Sequence, residues 1–487
     1  MSELNSSPAL KRSFGMREAV TITAGSVIGV GLFTVGLMGP SVIFATVVAL
    51  LISVYPALLY AEMGAALPYA GGTYQFASVG IGRAAGVLAG WNFIISLVAV
   101  TGGEALAFSY YFKTLFSAFG VTLPFSDVAI AVVITAGFIV ANVCGVKIAG
   151  RLQNGFMFFF WGVAVIWFLT MIPNINLPSF VQAPSFLPKD GQMSFAASVC
   201  MIWWCFAGFE ACVAMGEEIK YPRINIPRAL FLAPFVVFAV NALFQWFLIA
   251  ITPVESLASL ATAQAPYADA MKAAGILGLP LALLAAGAFS TMNAAIATIP
   301  RYLFTMARDG VMPSIFAKTS RFQTPHVAII TLGVLTMALI ATDSLIYIAS
   351  LSLFADLLYY VIGILAAWAL RRRRPELQRP YKAPLVAVGA PVSALIYLYM
   401  MTQLDTNAFI TGVIWCVLGL AIYFYCSRRT AEAQNATPTL EQTGALDMPQ
   451  DPSEIAAMDR EYLIWKVIVA AACILAMLLY ALPYIAA

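Results

Sequence analysis

The stretch Ala24-Gly-Ser-Val-Ile-Gly-Val-Gly-Leu-Phe33 places three glycines near the middle of the first long apolar segment of the chain. A glycine weakens a helix by ~1 kcal/mol relative to alanine, so glycines clustered in a membrane helix need a reason. One reason is an unwound stretch, because its free backbone N–H groups at a half-helix N-terminus bind a carboxylate. The alternative is close packing of two helices through small residues four apart, such as Gly25 and Gly29. The glycines alone do not decide between a binding site and packing.

The composition of the chain is that of a membrane protein. Of its 487 residues, 62% are hydrophobic and 10% are charged, and the mean hydropathy is +0.89. Soluble domains are about 45–50% apolar and about 25% charged. Apolar runs of ~20 residues favour membrane-spanning helices over a β-barrel, whose shorter strands alternate polar and apolar side chains. With 26 basic and 23 acidic residues, the charges are too balanced to indicate a nucleic-acid partner. We therefore predict an all-α integral membrane protein.

The apolar runs predict twelve membrane-spanning segments and a further thirteenth. Their ranges are 18–38, 41–63, 84–112, 126–146, 154–173, 194–216, 229–252, 276–306, 326–342, 344–370, 384–403, 408–427 and 463–486. The predicted organisation is a polar tail (1–17), a ten-segment core (18–370), two further segments (371–427), an acidic loop (428–462) and the last segment (463–486). For that last segment a helix along the bilayer surface is the less favoured alternative, because no polar face is visible.

The positions of lysine and arginine predict the orientation. If the N-terminus is cytoplasmic and the segments alternate, all but three of the 26 basic residues lie on the cytoplasmic side, the exceptions being Lys113, Lys189 and Lys272. Cytoplasmic loops carry such an excess of basic residues. We therefore expect a multi-pass protein of the cell (inner) membrane, with the N-terminus and the acidic loop in the cytoplasm.

A second interruption occurs in the sixth segment, which reads Trp204-Cys-Phe-Ala-Gly-Phe-Glu210. If the first ten segments form two five-helix repeats, this stretch corresponds in position to the glycine-rich stretch of the first segment. Paired interruptions in corresponding segments are the best sequence indication of a transporter's binding site. Glu210 would then lie at the site or in a gate, because a carboxylate in the membrane is costly and is functional by default.

Four further motifs follow in order along the chain. They are Glu62-Met-Gly-Ala-Ala-Leu-Pro-Tyr-Ala-Gly-Gly-Thr-Tyr74, Gly208-Phe-Glu210, Glu217-Glu-Ile-Lys-Tyr-Pro-Arg-Ile-Asn-Ile-Pro-Arg228 and Ala307-Arg-Asp-Gly310. Together these motifs make residues 15–427 resemble the amino acid–polyamine–organocation (APC) transporter family. The resemblance implies the leucine-transporter type fold, which has two inverted five-helix repeats, broken first and sixth helices, and here extra C-terminal helices.

The same resemblance implies where a substrate binds. In the family the α-carboxylate of the substrate meets amides of the first helix, and its amino group meets carbonyls of the sixth. Carried over to this sequence, the binding residues are Ile28, Gly29, Val30, Gly31, Trp204, Cys205, Phe206, Ala207 and Gly208.

Two positions depart from the family pattern. Val30 stands where the family usually has a small residue, often serine, which removes a hydroxyl donor and narrows the expected pocket. The fifth segment, which begins Asn154-Gly-Phe-Met, has no lysine where many members carry one in place of sodium. The usual reason to expect proton coupling is then missing, and Ser290 and Thr291 become candidate sodium ligands because hydroxyls suit hard cations. We group Asn293 with them and with Glu210 as gating or coupling residues.

Glu104 is the most unusual residue of the third segment, where it follows Thr101-Gly-Gly. The resemblance, which is close to the arginine/agmatine antiporter around Gly86 and Gly90-Trp91, puts Glu104 on the substrate-facing side, and Thr101 is assigned to the same binding group. One interpretation is a counter-charge for a cationic substrate or a proton carrier. The other is a structural carboxylate paired with another helix.

These observations predict a secondary active transporter, a symporter or an exchanger, that moves an amino acid or related amine by alternating access. The alternatives are a transporter-like amino acid sensor and a polyamine or cationic amino acid antiporter. An enzyme is not expected, because no HExxH, Gly-x-Ser-x-Gly or nucleotide-binding loop is present. We expect no cofactor and no metal other than a coupling ion, H+ or Na+, and as partners a small amino acid or amine and the lipid bilayer.

Overall fold

The computed structural model describes residues 15–17, 19–20, 42–68, 71–143, 146–176, 194–214, 216, 219–253, 278–320, 324–429, 449 and 451–486. The regular structure of this part of the chain is helical, as predicted. The glycine-rich stretch of the first segment, with Ile28, Gly29, Val30 and Gly31, lies outside the described residues.

The α-helices of the described residues are numbered here in chain order. They are α1 Val42–Ala66, α2 Gly72–Gly80, α3 Arg83–Ala118, α4 Asp127–Val143, α5 Val146–Met171, α6 Phe195–Trp204, α7 Ala211–Ala214, α8 Pro222–Ile251, α9 Gly278–Arg308, α10 His326–Ile340, α11 Leu345–Arg373, α12 Val386–Met401, α13 Thr406–Arg429 and α14 Pro452–Ala486. Short 3₁₀ turns follow α5 and α9 at Ile172–Asn174 and Ser314–Ala317.

Three helices, α5, α8 and α14, begin well before the residues that the apolar runs predict. Helix α5 starts at Val146 rather than at 154. Helix α8 starts at Pro222 rather than at 229, because a proline at the first helical position has no N–H that needs a partner. Helix α14 starts at Pro452 rather than at 463, after Asp451, whose carboxylate accepts the Ser453 backbone N–H at 2.9 Å. An aspartate in this position is a favourable N-cap. The starts of α8 and α14 were missed because their first turns are polar.

Six helices of the described residues are long and apolar enough to cross a membrane, namely α1, α3, α8, α11, α13 and α14. They differ in how far their apolar side chains are enclosed by protein. In the most apolar stretch of α11, 89% of the residues are buried, whereas in α13 and α14 the share is 11%. Exposed apolar helix faces of this kind are stable in lipid, which agrees with a multi-pass membrane protein.

Helices α3 and α11 lie at the centre of the molecule and pack against each other. Helix α3 also contacts α9, α2 and α4, while α11 contacts α12, α2, α13 and α1. Helix α1 packs along α8, and α8 in turn carries α14. Of the interrupted sixth segment, α6 packs mainly on α1 and also contacts α11, while α7 contacts α8 and α2.

Candidate functional site

The sixth segment is broken at the predicted place. Helix α6 ends at Trp204, residues 205–210 form turns, and α7 begins at Ala211. After Trp204 the backbone tightens, so that the Cys205 N–H donates to Ile202 O at 2.9 Å instead of to a carbonyl four residues back. Gly208 has φ = +97°, a conformation that side-chain-bearing residues rarely adopt. A continuous helix cannot contain this residue, and the break follows from it.

Tyr360 of α11 holds the broken stretch through its hydroxyl. The Gly208 backbone N–H donates to Tyr360 Oη at 2.9 Å, and the same hydroxyl donates to Oε2 of Glu210. Glu210 is 4% exposed, so this donor replaces water for a buried carboxylate. The predicted gating residue Glu210 is therefore attached to α11 through one tyrosine.

Gly103 and Glu104 of α3 lie near the start of the break. A Cβ added to Gly103 would be 3.6 Å from Cη2 of Trp204, an ordinary van der Waals distance, so α3 lies beside the indole. Glu104 is 3% exposed, and its carboxylate interacts electrostatically with the thiol of Cys205. The structure therefore brings Glu104 together with the predicted binding residues of the sixth segment.

Thr101, which we also assigned to the binding group, is buried in α3 and donates its hydroxyl to Leu97 O at 2.8 Å. This is a bond to its own helix, and it occupies the single hydroxyl hydrogen. The described contacts of Thr101 do not include the broken stretch.

The three candidate coupling residues of α9 are also buried. Ser290, Thr291 and Asn293 are 1%, 7% and 2% exposed, and Oδ1 of Asn293 accepts Nδ2 of Asn142 at 3.4 Å. Asn142 lies on α4, so this bond links α9 to α4. The first-segment carbonyls that would complete a sodium site lie outside the described residues.

A buried carboxylate on α11, Asp356, was missed from the sequence. Ser96 of α3 donates to its Oδ1 at 2.6 Å, and Ser352 lies one turn away with Oγ 3.4 Å from Oδ2. Ser352 Oγ also accepts the indole N–H of Trp204 at 3.0 Å. Asp356 is thereby joined to the last residue of α6 through one serine. The signal was available, because a single acid inside the long apolar segment 344–370 is itself unusual.

A second carboxylate whose role was missed from the sequence is that of Glu62, which lies near the end of α1 and belongs to a buried ion cluster. Its oxygens accept the Nε–H of Arg371 at 2.8 Å and the backbone N–H of Ala383 at 2.8 Å, and Oε1 forms an ion pair with Nε of Arg379 at 3.2 Å. The Glu62 side chain is 4% exposed and that of Arg379 is 7% exposed. The cluster fastens the arginine-rich segment after α11 to the end of α1. The sequence shows both motifs, but nothing in it indicates that residues 309 positions apart are partners.

An aromatic layer lies between the broken helix and the ion cluster. The Tyr360 ring packs against Tyr60, Phe209 and Trp203, with ring centroids 5.5, 5.1 and 5.3 Å away. Tyr60 is two residues before Glu62 on α1, and Tyr360 is eleven residues before Arg371 on α11. At 1.5 Å per helical residue, Tyr360 and Arg371 of the ion cluster are about 16 Å apart along α11. The aromatic contacts of Tyr360 and the ion cluster of Glu62 therefore lie at different levels along α11.

Comparison with known proteins places these features in a family. A family model described as "Amino acid permease" matches residues 14–426. The branched-chain amino acid permease BcaP of Bacillus subtilis is 25% identical over 444 residues, which are 86% of this chain and 94% of that protein. The methylthioribose transporter of the same organism is 25% identical over 453 residues, which are 88% of this chain and 96% of that protein. Cationic amino acid transporter 4 of Mus musculus is 27% identical over 371 residues, which are 70% of this chain and 56% of that protein. The chain therefore belongs to the amino acid permease family of the APC superfamily, a family of membrane transporters and not of enzymes.

Proposed function

We propose that this protein is a secondary active transporter that moves an amino acid by alternating access, as a symporter or an exchanger. The observation that carries the proposal is the break at residues 205–210, which contains the buried carboxylate Glu210 and is bound to α11 through Tyr360. Discontinuous helices near the middle of the membrane form the binding sites of many secondary transporters. The proposal includes two inverted five-helix repeats, twelve or thirteen membrane spans, a cytoplasmic N-terminus and a place in the cell membrane.

In this proposal the substrate bridges the two interrupted segments. Amides at Ile28, Gly29, Val30 and Gly31 take the α-carboxylate, and backbone carbonyls from Trp204 to Gly208 take the amino group. The side chains of Cys205 and Phe206 are apolar and buried. An apolar wall accommodates an aliphatic side chain, and BcaP of Bacillus subtilis is named for branched-chain amino acids. A branched-chain amino acid such as leucine is therefore our first candidate substrate.

A cationic amino acid or amine is the second candidate, and Glu104 is the observation that favours it. A buried carboxylate beside the break attracts a side-chain ammonium or guanidinium group strongly in a poorly hydrated site. One relative, cationic amino acid transporter 4 of Mus musculus, carries such a substrate class in its name. Glu210, Ser290, Thr291 and Asn293 act in gating and coupling in either case.

A ligand screen on the purified protein tests the proposal. Ligands that bind only the native state raise its apparent melting temperature. We expect leucine to raise the melting temperature. Methylthioribose, arginine and glycerol are tested in parallel, and each compound is measured in sodium and in choline buffer. A rise with arginine and not with leucine would select the second candidate. No rise with any amino acid across the full set of twenty would contradict the proposed function.

A further inference from the structure

We propose that Asp356, held by Ser96 and Ser352, is a proton-carrying site that is linked to the helix break through Trp204. The inference rests on the proposed transport function and adds the coupling ion and the residue that carries it. The proton comes from water on one side of the membrane and returns to water on the other. An O–H bond of hydronium breaks as the O–H bond of the Asp356 carboxyl forms, and the reverse transfer to water regenerates the carboxylate on the other side.

The geometry isolates Asp356 from water and surrounds it with hydroxyl groups. The residue is 6% exposed, and Ser96 and Ser352 are 2% and 0% exposed. Ser96 comes from α3 and Ser352 from α11, so the group lies between the two central helices. Burial without water disfavours a bare carboxylate, whereas hydroxyl donors partly replace its solvation. Such a group exists in either protonation state at moderate cost, which a proton carrier requires.

The charged group that acts on Asp356 is acidic. Glu210 is close enough to interact with it electrostatically. No lysine or arginine forms an ion pair with Asp356 among the described residues. The basic residues of α11 lie at its far end, where Arg371 is bound to Glu62. The other titratable groups on elements packed against α11 are Tyr55, Tyr60 and Glu62 of α1, Tyr74 of α2, Arg83, Glu104, Tyr110, Tyr111 and Lys113 of α3, Cys200 of α6, Tyr397 and Tyr399 of α12, and Cys416, Tyr423, Tyr425, Cys426, Arg428 and Arg429 of α13.

The contacts suit a proton better than a sodium ion. Ser96 Oγ is 2.6 Å from Asp356 Oδ1 and 3.4 Å from Ser352 Oγ, so these oxygens are joined by hydrogen bonds. A metal cation needs several oxygens arranged around a central space. Within the described residues, Asp356 forms hydrogen bonds with two hydroxyl groups only, which are fewer oxygens than a metal cation takes. The group therefore binds the smallest cation.

Protonation of Asp356 affects the helix break because it reverses the direction of the hydrogen bond between Asp356 and a serine. An ionised Asp356 only accepts, so both serine hydroxyls can donate to it. A protonated Asp356 carries an O–H, and its nearest acceptors are the oxygens of Ser96 and Ser352. Ser352 already accepts the Trp204 indole N–H at 3.0 Å. The protonation state of Asp356 thus changes the partner that fixes Trp204 at the end of α6.

Two measurements on the full-length protein test this inference. The first needs no substrate. Infrared difference spectra between acid and alkaline buffer, recorded in lipid, should lose a protonated-carboxyl component in Asp356→Asn and keep it in Asp356→Glu, and Ser352→Ala should shift its titration midpoint. The matched control is Glu376→Gln, which removes a carboxylate that is 58% exposed and 3.5 Å from Arg374, and which should leave this component in place.

The second measurement is radiolabelled leucine uptake into proteoliposomes against external pH. Wild-type uptake should rise as the external pH falls, and Asp356→Asn should flatten the profile while it keeps leucine exchange. Unchanged infrared spectra together with an unchanged pH profile in Asp356→Asn would overturn the inference. Sodium-dependent wild-type uptake that loses its sodium dependence in Asp356→Asn would overturn it as well, in favour of a sodium site. If the wild type takes up no amino acid, the proposed function fails, and the infrared measurement still decides whether Asp356 carries a proton.

Discussion

Removing the Glu62 charge should destabilise the protein far more than removing a similar charge at the surface. Glu62 accepts hydrogen bonds from Arg371 and from the Ala383 backbone N–H, forms an ion pair with Arg379, and has a side chain that is 4% exposed. Taking one partner from a buried ion pair costs ~3–5 kcal/mol, because the remaining charges stay buried without compensation. Arg371 is 29% exposed, so solvent screens part of this loss. We therefore expect Glu62→Gln to lower the free energy of unfolding by about 3 kcal/mol, the low end of that range.

Glu376→Gln is the matched control for this prediction. This substitution also replaces a glutamate by glutamine and breaks an ion pair, here with Arg374 at 3.5 Å, but the Glu376 side chain is 58% exposed. Exposed pairs contribute about 0–1 kcal/mol. Denaturant unfolding of both variants in detergent, followed by tryptophan fluorescence, measures the difference. About 3 kcal/mol corresponds to roughly a hundredfold change in the unfolding equilibrium constant. Equal losses in the two variants would refute the role of burial and of the Glu62 cluster.

Three further predictions concern the site. Gly208→Ala places a side chain at φ = +97°, which costs ~1–2 kcal/mol, so the turn should shift and leucine binding measured by calorimetry should weaken at least tenfold. The control Gly162→Ala has open space around the added methyl group and should bind leucine normally. Equal binding by both variants would argue against a functional break. Gly29→Leu or Gly31→Leu should abolish leucine binding in a protein that still elutes as a folded species, and wild-type affinity would remove the first segment from the site. Glu104→Gln should weaken arginine binding if the substrate is cationic, or flatten the pH dependence of leucine transport if it is neutral, and a variant unchanged in affinity, rate and pH profile would show a structural carboxylate.

The break in the sixth helix could be predicted because its cause is local. Gly208 needs no distant partner to interrupt a helix, and the residues around it are adjacent in the sequence. Glu104 could be found for a similar reason, since an acid beside two glycines in an apolar segment is visible without a fold. The family resemblance, which rests on motifs in order, is confirmed by the family match over residues 14–426.

The missed features depend on contacts between distant parts of the chain. Asp356 becomes informative only when α3 brings Ser96 to within 2.6 Å of it and α6 brings Trp204 to Ser352. Glu62 was quoted as part of a motif, but its partners, in the last turn of α11 and just after that helix, are more than 300 residues away in the sequence. The early starts of α8 and α14 were missed because prolines and charged residues in a first turn look like loop in a search for apolar runs.

Counterflow of radiolabelled leucine tests the central claim most directly. Proteoliposomes are loaded with unlabelled leucine, diluted into radiolabelled leucine, and compared with empty proteoliposomes, with arginine and methylthioribose treated in the same way. Alternating access predicts saturable uptake of at least one of these compounds that internal substrate accelerates, because the loaded site returns to the outside faster than the empty one in an exchanger. Uptake that rises in proportion to concentration and is indifferent to internal substrate, for all three compounds, would contradict the account.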